Sequence, residues 1–332
     1  MLYVNADLLA KAGVDVSALP KTWPELLALG KTIEAKAGTA VTGLYYQWEQ
    51  TGNWLFQSLV TSKSGRILKA DGCSIAFDDA NGMWALKTLE AFGRSGMPNL
   101  GLGQARQSFV AGNIAISADS SFYVAAAERQ IGGRFQFKTV AFPLAVADGR
   151  LPAVFAKDAE RQKAAWKYVK FTTSSVGQTA MVNATGYMPG NEIAVKTPDL
   201  LGTFYARSPN HLTSIQQLPL LTEWASFPGD NSLKIIEVIK HHIERLVTGK
   251  RTAEQACRSW LELCPIFFQS AAASDRTKGR DPIGQSRLRP WPPRLVVTGA
   301  AAISWRVFRP RRRSRRRKWF FSIARSAPSS LV

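Results

Sequence analysis

Leu2, Tyr3 and Val4 form a short apolar run that predicts a strand, and Leu8, Leu9 and Ala12 then recur at helical spacing until Gly13. Thr22 with Glu25 three residues later predicts a capping box, and Pro24 falls in the first turn, where its missing N–H costs nothing. That helix runs through Ile33 toward Gly38. Gly43–Tyr46 reads as a strand, followed by an aromatic-rich loop and a helix with Trp48, Trp54, Phe56 and Leu59. Asp78-Asp79 predicts the cap of a helix carrying Trp84, Leu86, Leu89 and Phe92. Ser108–Asp119 reads as a helix end, a turn and a strand, and a helix follows from Phe122 to Gln130. Phe135–Pro143 alternates like a strand. Helical runs cover Asp158–Phe171 and Ser175–Ala184, and Ile236, Ile239, Ile243 and Leu246 mark an amphipathic helix over Ser232–Val247. Strands alternating with helices predict an α/β fold. Its core is expected to include Leu26, Trp84, Leu89, Ile116, Ile239 and Ile243.

The pattern breaks near Ala256. Thr252 opens a helix, yet Pro265, Pro282, Pro290, Pro292 and Pro293 follow. The formal net charge of +19 is concentrated beyond this point: residues 257–332 hold fifteen Arg, two Lys and three acids, a net of +14. The preceding 256 residues carry +5, an ordinary balance that gives no reason to assign nucleic-acid binding to them. The tail is expected to stay disordered, because its prolines are frequent and its like charges repel. Six of the seven residues from Arg311 to Arg317 are arginine, a run able to bind polyanions. The Arg-, Pro- and Ser-rich composition is also what GC-rich DNA yields in a shifted frame, and we read the tail as carrying no selected function.

Several segments of the body together resemble the bacterial extracellular solute-binding protein family of sugar and glycerol-phosphate importers. They are Leu2–Gly13, Pro20–Leu26 with Lys21-Thr22-Trp23-Pro24-Glu25, Phe109–Ala115, Gln162–Phe171 with Gly177-Gln178, Thr185–Pro189 and Gly249–Ala256. Each is a weak signal alone; six in the family's order are a strong one. The resemblance implies a two-lobed periplasmic-binding-protein-like α/β fold of type II, with most of the N-lobe missing. It divides the chain into 1–140 (C-lobe, first part), 141–200 (N-lobe fragment), 201–256 (C-lobe, second part) and the tail 257–332. It further implies a non-catalytic solute-binding component, with a sugar or polyol phosphate as solute, membrane permease subunits as partners, and the periplasm as location, although no signal peptide is visible. No cofactor and no nucleic-acid partner are expected. Set against the resemblance, the family's first N-lobe half and signal peptide are expected to be missing, the connection around Pro143–Lys157 is shorter than lobe crossings usually are, and the ending departs from the family's helix. We therefore expect a degraded product that binds sugars weakly or not at all.

Sugars are held by aromatic faces and by polar groups that satisfy hydroxyls. Trp48 and Trp54 flank a polar loop with Gln47, Glu49 and Asn53 and are candidate ligand contacts; packing in the core or hinge is the alternative. Ser120 and Ser121 follow a strand and open a helix, where hydroxyls and free N–H groups suit an anionic or hydroxylated solute, or simply cap the helix. By resemblance, Tyr187 of the Gly186-Tyr187 turn and Tyr205 face the ligand, with Asn231 or Lys234 near the cleft. Glu237 and His241 stand at i, i+4 spacing, but two ligands do not make a metal site. Cys73, Cys257 and Cys264 lack metal-site spacing, and no Gly-x-Ser-x-Gly or phosphate-loop motif occurs.

Overall fold

The computed structural model describes residues 1–38, 40–49, 54–70, 74–142, 146–147, 156–222, 225, 227, 232–262, 302–307 and 321–326. The first unit comprises β1 (Leu2–Asn5), α1 (Ala6–Lys11), α2 (Trp23–Ala37), β2 (Thr42–Tyr46), α3 (Trp54–Ser62), α4 (Ala80–Arg94), α5 (Leu102–Val110), β3 (Ile114–Ala118), α6 (Val124–Ile131) and β4 (Phe137–Val140). Its four strands run in the order β2-β3-β1-β4. β2 pairs parallel with β3, while β1 pairs antiparallel with both β3 and β4. The entire lengths of β1 and β3 are buried, so the sheet's centre is mostly apolar on both faces, with Asn5 and Ser117 the buried polar exceptions in these two strands.

The caps follow from the sequence. Asn5 accepts from the Leu8 amide and Asp79 from the Gly82 amide. At α2, Thr22 accepts from the Glu25 amide at 3.4 Å and its hydroxyl donates to the Glu25 carboxylate at 2.6 Å, so the side chains close on each other. Of the expected core, Leu26, Leu89, Ile116, Ile239 and Ile243 are buried. Trp84 is only partly so; it packs at the core's edge with the Lys63 ammonium 4.9 Å above its ring.

The chain leaves this unit through β5 (Val146–Ala147) and forms a helical module of α7 (Ala159–Thr172), α8 (Ser175–Thr185), α9 (Glu192–Lys196), α10 (Phe204–Arg207) and α11 (Pro209–Gln216). It returns through β6 (Leu221–Thr222), which pairs parallel with β5. The two crossings are thus joined by a short sheet. Gln57 of α3 clamps the return, exchanging two hydrogen bonds with the backbone of Ala225 at 2.9 and 3.0 Å. The module has its own small core of Val182, Ala194, Leu201 and Tyr205. That core includes residues on both sides of position 200, the expected boundary between lobe segments; helical packing runs on to Ile215.

Back in the first unit, α12 (Ser232–Val247) buries Ile235, Ile239, Ile243 and Leu246, each contributing about 1.5–3 kcal/mol. It lies against α4 at Gly93, where an added Cβ would stand 2.3 Å from the Leu246 carbonyl oxygen, so only glycine admits that approach. A further helix, α13, spans 253–262. The expected tail boundary at 257 falls inside it: Cys257 and Trp260 are buried in the main core, and Trp260 meets Phe56 and Phe77 at ring centroids 5.1 and 4.9 Å apart. Further on, β7 (Ala302–Val307) and β8 (Phe321–Ser326) pair antiparallel, two strands that the sequence pattern did not announce. The Arg311–Arg317 run, Cys73, Cys264, Asn53 and Asn231 lie outside the described residues.

Candidate functional site

The parallel pair β2 and β3 ends at one edge of the sheet, and open α/β sheets place their ligands outside such carboxyl ends. The Gln47 amide donates to the Ala118 carbonyl at 3.1 Å, which keeps the two exits, Gln47-Trp48-Glu49 and Asp119-Ser120-Ser121, side by side. Asp119 organises the second exit. Its carboxylate takes Arg106 Nε at 2.8 Å and Nη2 at 2.9 Å, and accepts from the Ser120 amide at 2.6 Å. The Arg106 guanidinium lies 4.2 Å from the centroid of the Tyr123 ring. Below it the Tyr3 hydroxyl donates to the Ser120 carbonyl at 2.6 Å. Burial, reinforced by the Asp119 charge, pushes the Tyr3 phenol far above its ordinary range, so it stays a donor. Ser120 accepts from the Phe122 amide at 3.3 Å and so caps the turn leading into α6.

At the first exit, the Glu49 carboxylate accepts from the Leu102 amide at the start of α5, whose N-cap, Gly101, has no side chain to offer. Lys240 of α12 approaches the same carboxylate at 3.8 Å. Burial and then the Glu49 charge push the Tyr45 hydroxyl upward as well; it donates to the Leu100 carbonyl at 2.7 Å.

The structure brings four of the six residues expected at the site to this edge. Trp48 leaves β2 beside the Ser120-Ser121 step, and all three are nearly buried. Tyr187, half-buried, stands edge-on to Phe122 at a centroid distance of 6.0 Å, and Phe122 is 52% exposed. Trp54 begins α3 and packs in the main core, 7% exposed. Tyr205 is apart from the rest: it packs on Phe204 in the module's core, its hydroxyl buried without a hydrogen-bond partner and its pKa raised by that burial. His241 pairs with Glu244 at 3.6 Å on a solvent-facing part of α12, and among the described residues no group of three or more His, Cys, Asp or Glu is placed to hold a metal. The sequence reading placed Glu49 only in the polar loop beside Trp48, and it did not single out Arg106 or Asp119. Arg106 carries no local signal, since its partner lies thirteen positions away across a helix and a strand. Chemically, the edge offers hydroxyls, helix-start amides, aromatic faces and a held guanidinium. Groups of these kinds can satisfy hydroxyls or an anion.

Residues 1–179 match the family model described as bacterial extracellular solute-binding protein. The sn-glycerol-3-phosphate-binding periplasmic protein UgpB of Rhizobium meliloti is 24% identical over 277 residues, which is 77% of this chain and 63% of that protein. Its counterpart in Agrobacterium fabrum is 24% identical over 296 residues, covering 82% of this chain and 66% of the relative. The chain thus spans less than two thirds of the length of these curated relatives. Among solved structures, the cyclic α-maltosyl-1,6-maltose binding protein of Arthrobacter globiformis superposes with a TM-score of 0.64 at 21% identity, over 81% of this chain and 70% of that one. UgpB of Mycobacterium tuberculosis in complex with glycerophosphocholine gives 0.67 at 16%, over 81% and 68%. The two superpositions show the shared fold. With a family model matched over more than half of its residues, this chain belongs to the bacterial extracellular solute-binding proteins.

Proposed function

We propose that this chain is the non-catalytic binding component of an ABC import system for a sugar or polyol phosphate. In this reading it works in the periplasm with membrane permease subunits as partners. One lobe consists of residues 1–140 with α12 and α13, and the helical module contributes to the second. The solute lies at the carboxyl ends of β2 and β3, against Trp48, Ser120, Ser121 and Tyr187. Trp54 and Tyr205 act from behind this surface, as packing that shapes it. The observation that carries the reading is the Ser120-Ser121 step at the start of α6, flanked by the Phe122–Tyr187 ring pair and by Arg106 on Asp119. Hydroxyls and helix-start amides suit a phosphate or a sugar hydroxyl, and aromatic faces suit the C–H surface of a carbohydrate. The periplasmic glycerol-phosphate-binding relatives support both the solute class and the compartment.

The small core of the module makes only a limited second wall, so binding by this chain alone is expected at millimolar solute rather than micromolar. Titration followed by tryptophan fluorescence and thermal shift tests this with glycerol 3-phosphate, glucose, maltose and a dipeptide. Saturable responses to glycerol 3-phosphate or the sugars, without one to the dipeptide, are expected. A response to the dipeptide alone, or none to any solute at tens of millimolar, would overturn the assignment.

A further inference from the structure

The turn that carries Tyr187 is held by groups far from it in sequence. Gly186 has φ +80° and a backbone so close to its neighbours that a Cβ would stand 1.9 Å from Val124 Cγ1 and 2.9 Å from His211 Nδ1. His211, on α11, is itself buried, and its Nε2 hydrogen-bonds Glu128 Oε2 of α6 at 2.9 Å. The other oxygen of Glu128 accepts from Asn210 Nδ2 at 3.0 Å. Asn210 in turn accepts from the Thr139 amide at 3.0 Å through Oδ1. β4 is the outer strand of the sheet, so this last bond covers an amide that would otherwise be left open at the edge. Burial raises the Glu128 pKa, but the bonds from His211 and Asn210 outweigh it and leave the carboxyl below its usual range, so the pair holds a charged acceptor at neutral pH. One carboxylate therefore fastens the start of α11 to α6 and to the sheet edge, and the His211 ring forms one side of the slot into which Gly186 fits.

We propose that Glu128, Asn210 and His211 are positioning residues: a latch that docks the helical module on the sheet edge and thereby sets Tyr187 against Phe122 over the Ser120-Ser121 step. This rests on the proposed solute site, and deepens it. None of the three needs to touch the solute. They determine whether the Tyr187 face and the serine step are presented together, and local geometry of this kind governs how much affinity is lost to ordering on binding.

The test is hydrogen exchange and solute titration on the full chain with Glu128→Ala and Glu128→Gln. In Glu128→Ala, the amides of Gly186, Tyr187, Met188 and Gly190 and of Thr139 should exchange at least tenfold faster, while those of α4 and α12 keep their wild-type protection. Glutamine at 128 retains an acceptor for Asn210 and should restore at least half of the lost protection. The glycerol 3-phosphate midpoint should rise at least fivefold in Glu128→Ala, and Tyr187→Ala should add little on that background although it weakens binding in the wild type. Unchanged exchange at 186–190 with the core intact would overturn the latch, and so would general loss of protection in both variants. Faster exchange with an unchanged midpoint would overturn the positioning role. Should the wild type bind no solute, the solute assignment fails and the exchange measurement still decides the latch.

Discussion

Arg106 meets the Asp119 carboxylate side-on, Nε to Oδ2 at 2.8 Å and Nη2 to Oδ1 at 2.9 Å, with only 18% and 4% of the two side chains exposed. The pair ties the middle of α5 to the exit of β3. A bidentate guanidinium–carboxylate pair fixes both distance and plane, so the residues after Asp119 start from one defined position.

Asp119→Ala should cost about 3 kcal/mol, because it removes the carboxylate that compensates the largely desolvated Arg106 charge. Urea unfolding measures the loss. The double variant Asp119→Ala with Arg106→Met should recover part of it, since no buried charge is then stranded. A single variant as stable as the wild type would show that the pair contributes nothing.

Trp260 completes the main core from α13, touching Phe56, Phe77 and His242. Trp260→Ala is expected to lower stability by about 3–5 kcal/mol through lost burial and the cavity left behind. Ending the chain after Ala256 should have an effect at least as large, whereas ending it after Glu262 should leave the unfolding midpoint of the core unchanged. Calorimetry of the three variants distinguishes a helix that belongs to the core from the start of a tail.

His242 is buried beside Trp260, with Arg251 Nη1 3.3 Å from its Nδ1. Burial, then the charges of Arg251, His241 and Arg245, lower its pKa from 6.5 to about 4. Between those values the unfolded chain binds a proton that the folded chain does not, so this residue's contribution is present above pH 6.5 and is lost as pH falls toward 4. Stability measured across that window should rise with pH, and His242→Gln should flatten the slope. A slope identical in the variant would assign it to other groups.

Gly186→Ala places a methyl group where Val124 and His211 already stand and demands a positive φ of a residue with a Cβ. It should destabilise the module by roughly 1–3 kcal/mol and increase proteolysis within residues 175–216, with little effect on the main core. Limited proteolysis followed by mass spectrometry reports both. Uniform cleavage along the chain, or none beyond the wild type, would contradict this placement.

The local half of this architecture is legible in the chain itself. Thr22 and Glu25, Asp79, Gly13 and the isoleucine stripe of α12 specify where helices start, stop and face, because caps, positive-φ glycines and helical period act over a few residues. The ordered set of segments from Leu2–Gly13 to Gly249–Ala256 was enough to point to the family. Of the site, the Ser120-Ser121 step and Tyr187 could be read as a turn and a loop, but not as neighbours. Tyr205 and Phe204 are adjacent aromatics whose inward or cleft-facing direction no period decides; packing with Val182 and Leu201 turned Tyr205 into the module's core. Trp260 looked like the beginning of an irregular tail because prolines follow it, and only the pocket between Phe56 and Phe77 makes it a core residue. Arg106 with Asp119 and Glu128 with His211 are separated by 13 and 83 positions. Pairs of that kind exist only once the strand order β2-β3-β1-β4 and the docking of α11 have brought the segments together. Periodicity and capping are short-range properties of the sequence, whereas a charge finds its partner through the register and packing of whole elements.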